Sequence, residues 1–189
     1  MKMRMIPVLV LLAALLWLPS RLGLSSVTIR DAAFLLATVI GATAAFWIWL
    51  MLIDGVSARM PGGVRTPLLL LFPATAAPML AGLVVARRVV FGLVGAIAVA
   101  AGLLTDLGIL MAAHTLAVGL FAAQLVSQCR QRSCVIRAGA TSGVAAMVSA
   151  LGVIAVSGLD GGIGWAAASV AGAFAGAAAG GLGALAFSR

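Results

Sequence analysis

The sequence predicts an all-α polytopic membrane bundle of about seven helices in a single transmembrane domain, 1–189. Three observations carry that prediction: 64% of the 189 residues are hydrophobic, 8% are charged, and the mean hydropathy is +1.25. Twelve basic and four acidic residues cannot build a solvated surface around a core of this size. The chain must be solvated by lipid, and the polar residues left inside the apolar runs become the informative ones.

Cutting the chain at charges, prolines and glycine pairs gives the spans in order. The first, Met5 to Leu18, is short and follows Lys2 and Arg4, as a signal sequence would, but Trp17, Pro19 and Arg21 stand where a small-residue cleavage site belongs. It is expected as a retained anchor; a cleaved or re-entrant segment would leave six spans. The second runs from Asp31 to Ile53. The third, Pro67 to Ala86, contains Pro73 and Pro78, which remove backbone donors and predict a kink.

Val89 to Ser127 has no basic residue and is about two bilayer crossings long, so it reads as a helical hairpin over 89–104 and 107–127 that turns at Thr105 and Asp106. The sixth span is 138–157, and the seventh, 163–187, is almost entirely Ala and Gly. Gly172, Gly176 and Gly180 share one face of it, and Gly139 and Gly143 repeat the spacing on the sixth. Small residues so placed let helices approach closely, within this chain or between two copies.

The basic residues set the orientation. Arg21, Arg30, Arg87, Arg88, Arg130, Arg132, Arg137 and Arg189 fall on one side; Lys2, Arg4, Arg59 and Arg65 fall on the other, with Asp54, Asp106 and Asp160. This predicts a multi-pass protein of the cytoplasmic (inner) membrane with a cytoplasmic C-terminus. Net charge +8 and a pI near 11.8 do not signal nucleic acid here, because the charges are scattered between apolar runs with no basic stripe. Cys129 and Cys134 have no nearby ligand His, so zinc is excluded and reduced cytoplasmic thiols are expected.

Few residues are able to carry chemistry. His114 is the single histidine and lies near the middle of the fifth span; with Asp106, Gln124 and Thr75 it makes a candidate intramembrane polar site. The alternative is an imidazole bonded across to Thr105, Thr75 or a backbone carbonyl. Asp106 has the further reading of a helix stop. There is no Glu, no paired carboxylate at helical spacing and no phosphate-binding loop, so no catalytic residue, metal or cofactor is expected and the chain is read as a non-enzyme.

Pro73 to Leu80 (PATAAPML), then Arg87-Arg88, then an uncharged hairpin turning at Asp106, then Arg132 to Gly139 (RSCVIRAG) form an ordered set. This set resembles the transmembrane region of the seven-transmembrane HD phosphohydrolases, with their "PxxxxxML" helix and "RSxxxxAG" helix entry, over about Phe72 to Ser157. The resemblance implies an extracellular domain before the helices and a cytoplasmic HD domain, hydrolysing cyclic di-AMP, after them. Neither has matching positions here. The expectation is therefore a stand-alone sensor or scaffold module that acts through a soluble or membrane partner chain, docked at the basic loop Gln128 to Arg137. Two alternatives stay open. The Gly92 to Asp106 run also looks like substrate-binding components of energy-coupling-factor transporters, which require a solvated pocket near His114, Gln124 and Thr75. A structural subunit of a larger complex is the other.

Overall fold

The computed structural model describes residues 29–58, 65–85, 87–129, 131–157 and 162–187. The expected span 5–18 lies outside them. Among the described residues there are seven helices and no strand: α1 (Ile29–Ser57), α2 (Arg65–Leu70), α3 (Ala76–Val84), α4 (Arg87–Leu104), α5 (Ile109–Val126), α6 (Arg132–Ser157) and α7 (Gly162–Phe187). Three contain stretches long and apolar enough to cross a membrane, Ala33–Ser57, Ile109–Val126 and Ser133–Val156, and Val89–Leu104 and Ala166–Leu182 are shorter apolar helices. α2 and α3 follow one another in series between α1 and α4.

α1 has 29 residues, hence a length of about 43 Å, more than a bilayer core needs. Its hydroxyls are satisfied within the helix: Thr38 Oγ1 donates to the Phe34 carbonyl and Thr43 Oγ1 to the Val39 carbonyl, each at 2.8 Å. The helix continues through Asp54 to Ser57, four residues beyond the sequence boundary at Ile53. A charge is not a helix breaker, and this end lies at the water.

The single kinked helix expected over 67–86 is instead two helices separated by residues 71–75. Pro73 has no N–H to give the carbonyl of Leu69, and the Phe72 N–H turns to that carbonyl at 3.3 Å, so the chain tightens and breaks. The Ala76 and Met79 N–H groups then bond to the Pro73 and Thr75 carbonyls, at 3.1 and 3.0 Å, and restart the helix as α3.

α4 and α5 form the expected hairpin. Its turn depends on Gly108, the one described residue with positive φ, 53°, and Gly102 packs on that turn, where a Cβ would lie 2.9 Å from the Gly108 carbonyl oxygen. Thr105 Oγ1 donates to the Ala101 carbonyl at 2.8 Å, closing the last turn of α4.

α6 begins at Arg132, six residues before the expected start at Ala138, because Arg132 and Arg137 fit a helix whose first turns project from the membrane. α6 and α7 pack through small residues. A Cβ on Gly139 would stand 3.1 Å from the Gly181 Cα, and the Phe174 ring lies over Gly143, 2.7 Å from where its Cβ would be. One buried cluster joins Phe46, Leu70, Met111, Val118, Ala150 and Ala177, tying α1, α2, α5, α6 and α7 together. A second, with Val39, Ala81, Val94 and Ala123, joins α1, α3, α4 and α5.

Candidate functional site

Three separate groups of polar residues stand out among the described residues of the bundle. The first surrounds the break between α2 and α3. Irregular backbone at membrane depth must be enclosed by protein, since lipid offers it no hydrogen bonds. Here α7 encloses it. Gly176 lies against the Leu71 and Phe72 carbonyls, where a Cβ would be 3.0 Å from Phe72 O, and Gly180 lies against Thr75 and Ala76, where it would be 2.8 Å from Ala76 N. Thr75, 1% exposed, donates through Oγ1 to the Ala177 carbonyl at 3.0 Å. On the opposite side the Trp49 indole N–H donates to the Leu68 carbonyl at 2.9 Å, the acceptor released when Phe72 turned away. The Phe72 ring meets Phe46 edge-on at 4.8 Å between centroids.

The second group is centred on His114, which is 4% exposed. Its Nδ1 and the Ser149 hydroxyl of α6 lie 3.0 Å apart, and either is able to donate, depending on the tautomer. The sequence pointed to Thr105, Thr75 or a carbonyl as partner. Those two hydroxyls are already turned to the carbonyls of Ala101 and Ala177. Next to His114, Thr115 is 2% exposed, and its Oγ1 has no hydrogen-bond partner. It lines a cavity of about 10 Å³ between α1, α4 and α5, together with Thr43, Phe46 and Ala101.

The third group lies at one end of the bundle. Arg65 at the start of α2 pairs with Asp54 at the end of α1, at 3.1 Å, and with Asp106 in the α4–α5 turn. The three side chains are about half exposed, so each pair contributes at most about 1 kcal/mol. Asp106, taken from the sequence as part of an intramembrane site or as a helix stop, is thus an ion-pair partner at the surface.

The four candidates therefore do not converge. Thr75 bonds to α7, His114 to α6 and Asp106 to Arg65, while Gln124 sits near the far end of α5, its carbonyl accepting from Ser127 Oγ at 2.8 Å. Of the glycines, Gly139, Gly143, Gly172, Gly176 and Gly180 are all buried, and Gly139, Gly143, Gly176 and Gly180 pack against this chain's own residues. Sequence reasoning missed Ser149, Arg65 and the Trp49–Leu68 bond. Arg65 had a visible signal, since the charge count already placed it on the side of Asp54 and Asp106.

At the other end lie the start of α4 at Arg87, the α5–α6 loop and the C-terminus of α7. Here the structure differs from the expectation of free thiols: it holds Cys129 and Cys134 in the disulfide-bonded state, with Cα atoms 5.4 Å apart. α5 ends at Val126 and α6 begins at Arg132, so the two cysteines are separated by a short connection that lets their side chains reach each other.

No curated protein and no solved structure matches the chain. A family model does: residues 5–187 match 7TM-7TMR_HD, described as "7TM receptor with intracellular HD hydrolase". The match extends well beyond the 72–157 region on which the sequence resemblance rested and takes in the first apolar segment. With an all-helical apolar bundle and a family match over nearly its whole length, the chain is a multi-pass membrane protein and belongs to the family of 7TM receptors with intracellular HD hydrolase.

Proposed function

We propose that this chain is a non-catalytic sensor or scaffold module of the cytoplasmic membrane that works through a protein partner at its basic end. The observation that carries this reading is the family match over residues 5–187, because the family's description pairs a receptor bundle with an intracellular hydrolase. The geometry supports it. The buried polar side chains Thr75, Thr105, His114 and Ser142 are engaged in bonds within and between helices, which suits a packing role more than chemistry. The cavity at Thr115 has room for about one water molecule.

Orientation follows from charge. α4, α5, α6 and α7 bring the positions of Arg87, Arg88, Arg132 and Arg137 and the end of α7 to one end, and Arg65 with Asp54 and Asp106 to the other. By the positive-inside rule the first end is cytoplasmic. Affinity purification from native membranes in mild detergent, followed by mass spectrometry, tests the proposal. A stoichiometric partner with a cytoplasmic signalling domain is the expected result, and a chain that purifies alone contradicts it.

A further inference from the structure

We propose that Cys129 and Cys134 are a reversible dithiol–disulfide switch that sets the geometry of the basic α5–α6 loop. The inference rests on the reading above that this end of the bundle is cytoplasmic. Cytoplasmic thiols are held reduced by glutathione and thioredoxin-type dithiols, so a pair that forms a disulfide there is a redox sensor rather than a permanent staple. Outside the cell the same pair would be a static bridge.

Three features of the pair suit exchange. Both residues are half-buried, in contact with the bundle yet within reach of a reagent. Their Cα atoms are 5.4 Å apart in the bonded state, within the range ordinary disulfides span. The helix ends make the two sulfurs unequal. Cys134 is the third residue of α6, in its first turn. Cys129 Sγ lies 3.5 Å from the Leu125 carbonyl at the C-terminal end of α5, an acceptor for the S–H of the reduced form. Cys134 is thus the attacking sulfur and Cys129 the resolving one.

With a peroxide as oxidant the balance is complete. The Cys134 thiolate attacks one peroxide oxygen, the O–O bond breaks, and the departing hydroxide takes a proton to become water. The Cys129 sulfur, losing its proton, then attacks the Cys134 sulfenic sulfur, forms the S–S bond and expels the second water. A dithiol reductant reverses this through a mixed disulfide, returning two thiols and leaving with its own disulfide. Closing the bond ties the third residue beyond α5 to the first turn of α6.

The test uses the full chain in native membranes, where two cysteines make the count simple. Cells are treated with hydrogen peroxide, with dithiothreitol, or left alone, quenched in acid, and the free thiols counted by the gel shift of a maleimide–polyethylene glycol. Inverted and right-side-out vesicles locate the thiols with an impermeant maleimide. The expected result is two free thiols in untreated cells, none after peroxide and two again on recovery, labelled only in inverted vesicles. Trypsin added to inverted vesicles should cut after Arg130 or Arg132 at least about fivefold faster in the reduced form, because local opening precedes cleavage. The Cys129→Ser variant should lose this dependence on peroxide. Thiols that stay free through peroxide, or equal cleavage in both states, overturn the switch and leave the topology standing. Labelling only in right-side-out vesicles overturns the topology and, with it, the switch.

Discussion

Placing a single methyl group on α7 tests how the broken helix is held. In Gly180→Ala the new Cβ falls on the Thr75 hydroxyl and 2.8 Å from the Ala76 backbone nitrogen, so α7 must move away from the α2–α3 break. Overpacking of this kind costs about 1–3 kcal/mol, with the upper end expected because backbone atoms cannot step aside as a side-chain tip does. Loss of the Thr75 to Ala177 hydrogen bond adds about 1 kcal/mol, and the better helix propensity of Ala returns about the same. The net loss is about 1–3 kcal/mol. Gly152→Ala on α6 is the matched reference: nothing lies within 4 Å of its Cβ, so the propensity gain of up to about 1 kcal/mol stands alone. Titration of both variants with sodium dodecyl sulfate in mixed micelles, followed by circular dichroism, measures the difference. Opposite signs separated by about 2 kcal/mol or more are expected from these packing terms. Equal shifts, within about 0.5 kcal/mol, would refute the claim that α7 closes the break.

Three further substitutions probe the other groups by the same titration. Trp49→Phe deprives the Leu68 carbonyl of its donor and should cost about 1–3 kcal/mol, with Trp47→Phe on the same helix as reference; equal effects would show that the indole N–H is idle. A double-mutant cycle on His114→Ala and Ser149→Ala should give a coupling of about 0.6 kcal/mol and no more than about 1.7, and a coupling of zero would remove Ser149 as the partner. Thr115→Val keeps the shape and removes a buried hydroxyl without a partner, so it should leave stability unchanged or raise it by about 1 kcal/mol; a loss of that size would contradict the assignment.

Lipid as the solvent is what made the fold readable. Runs of apolar residues between charges gave the α4–α5 hairpin, its turn at Asp106 and the close α6–α7 pair, since crossing a bilayer leaves few other solutions. The same rule misplaced helix ends. α6 starts at Arg132 and α1 runs past Asp54 because a charge ends the membrane, not the helix. Pro73 announced a disturbance, but whether it kinks or breaks a helix depends on partners far along the chain, here Gly176, Gly180 and Trp49, whose approach no local pattern specifies. Thr75 and His114 were visible as unusual residues in apolar runs. Their partners were not, because Ala177 offers only a carbonyl and Ser149 is one small hydroxyl among several on α6.

The most direct test of the central claim is site-specific photo-crosslinking in native membranes. A photoreactive amino acid is placed at Gln131, on the basic end, or at Ala58, beyond α1 on the opposite end, and adducts are identified by mass spectrometry. The proposed module predicts a discrete protein adduct from Gln131 that is absent from Ala58. Adducts from Ala58 alone, or only lipid from both, would contradict it.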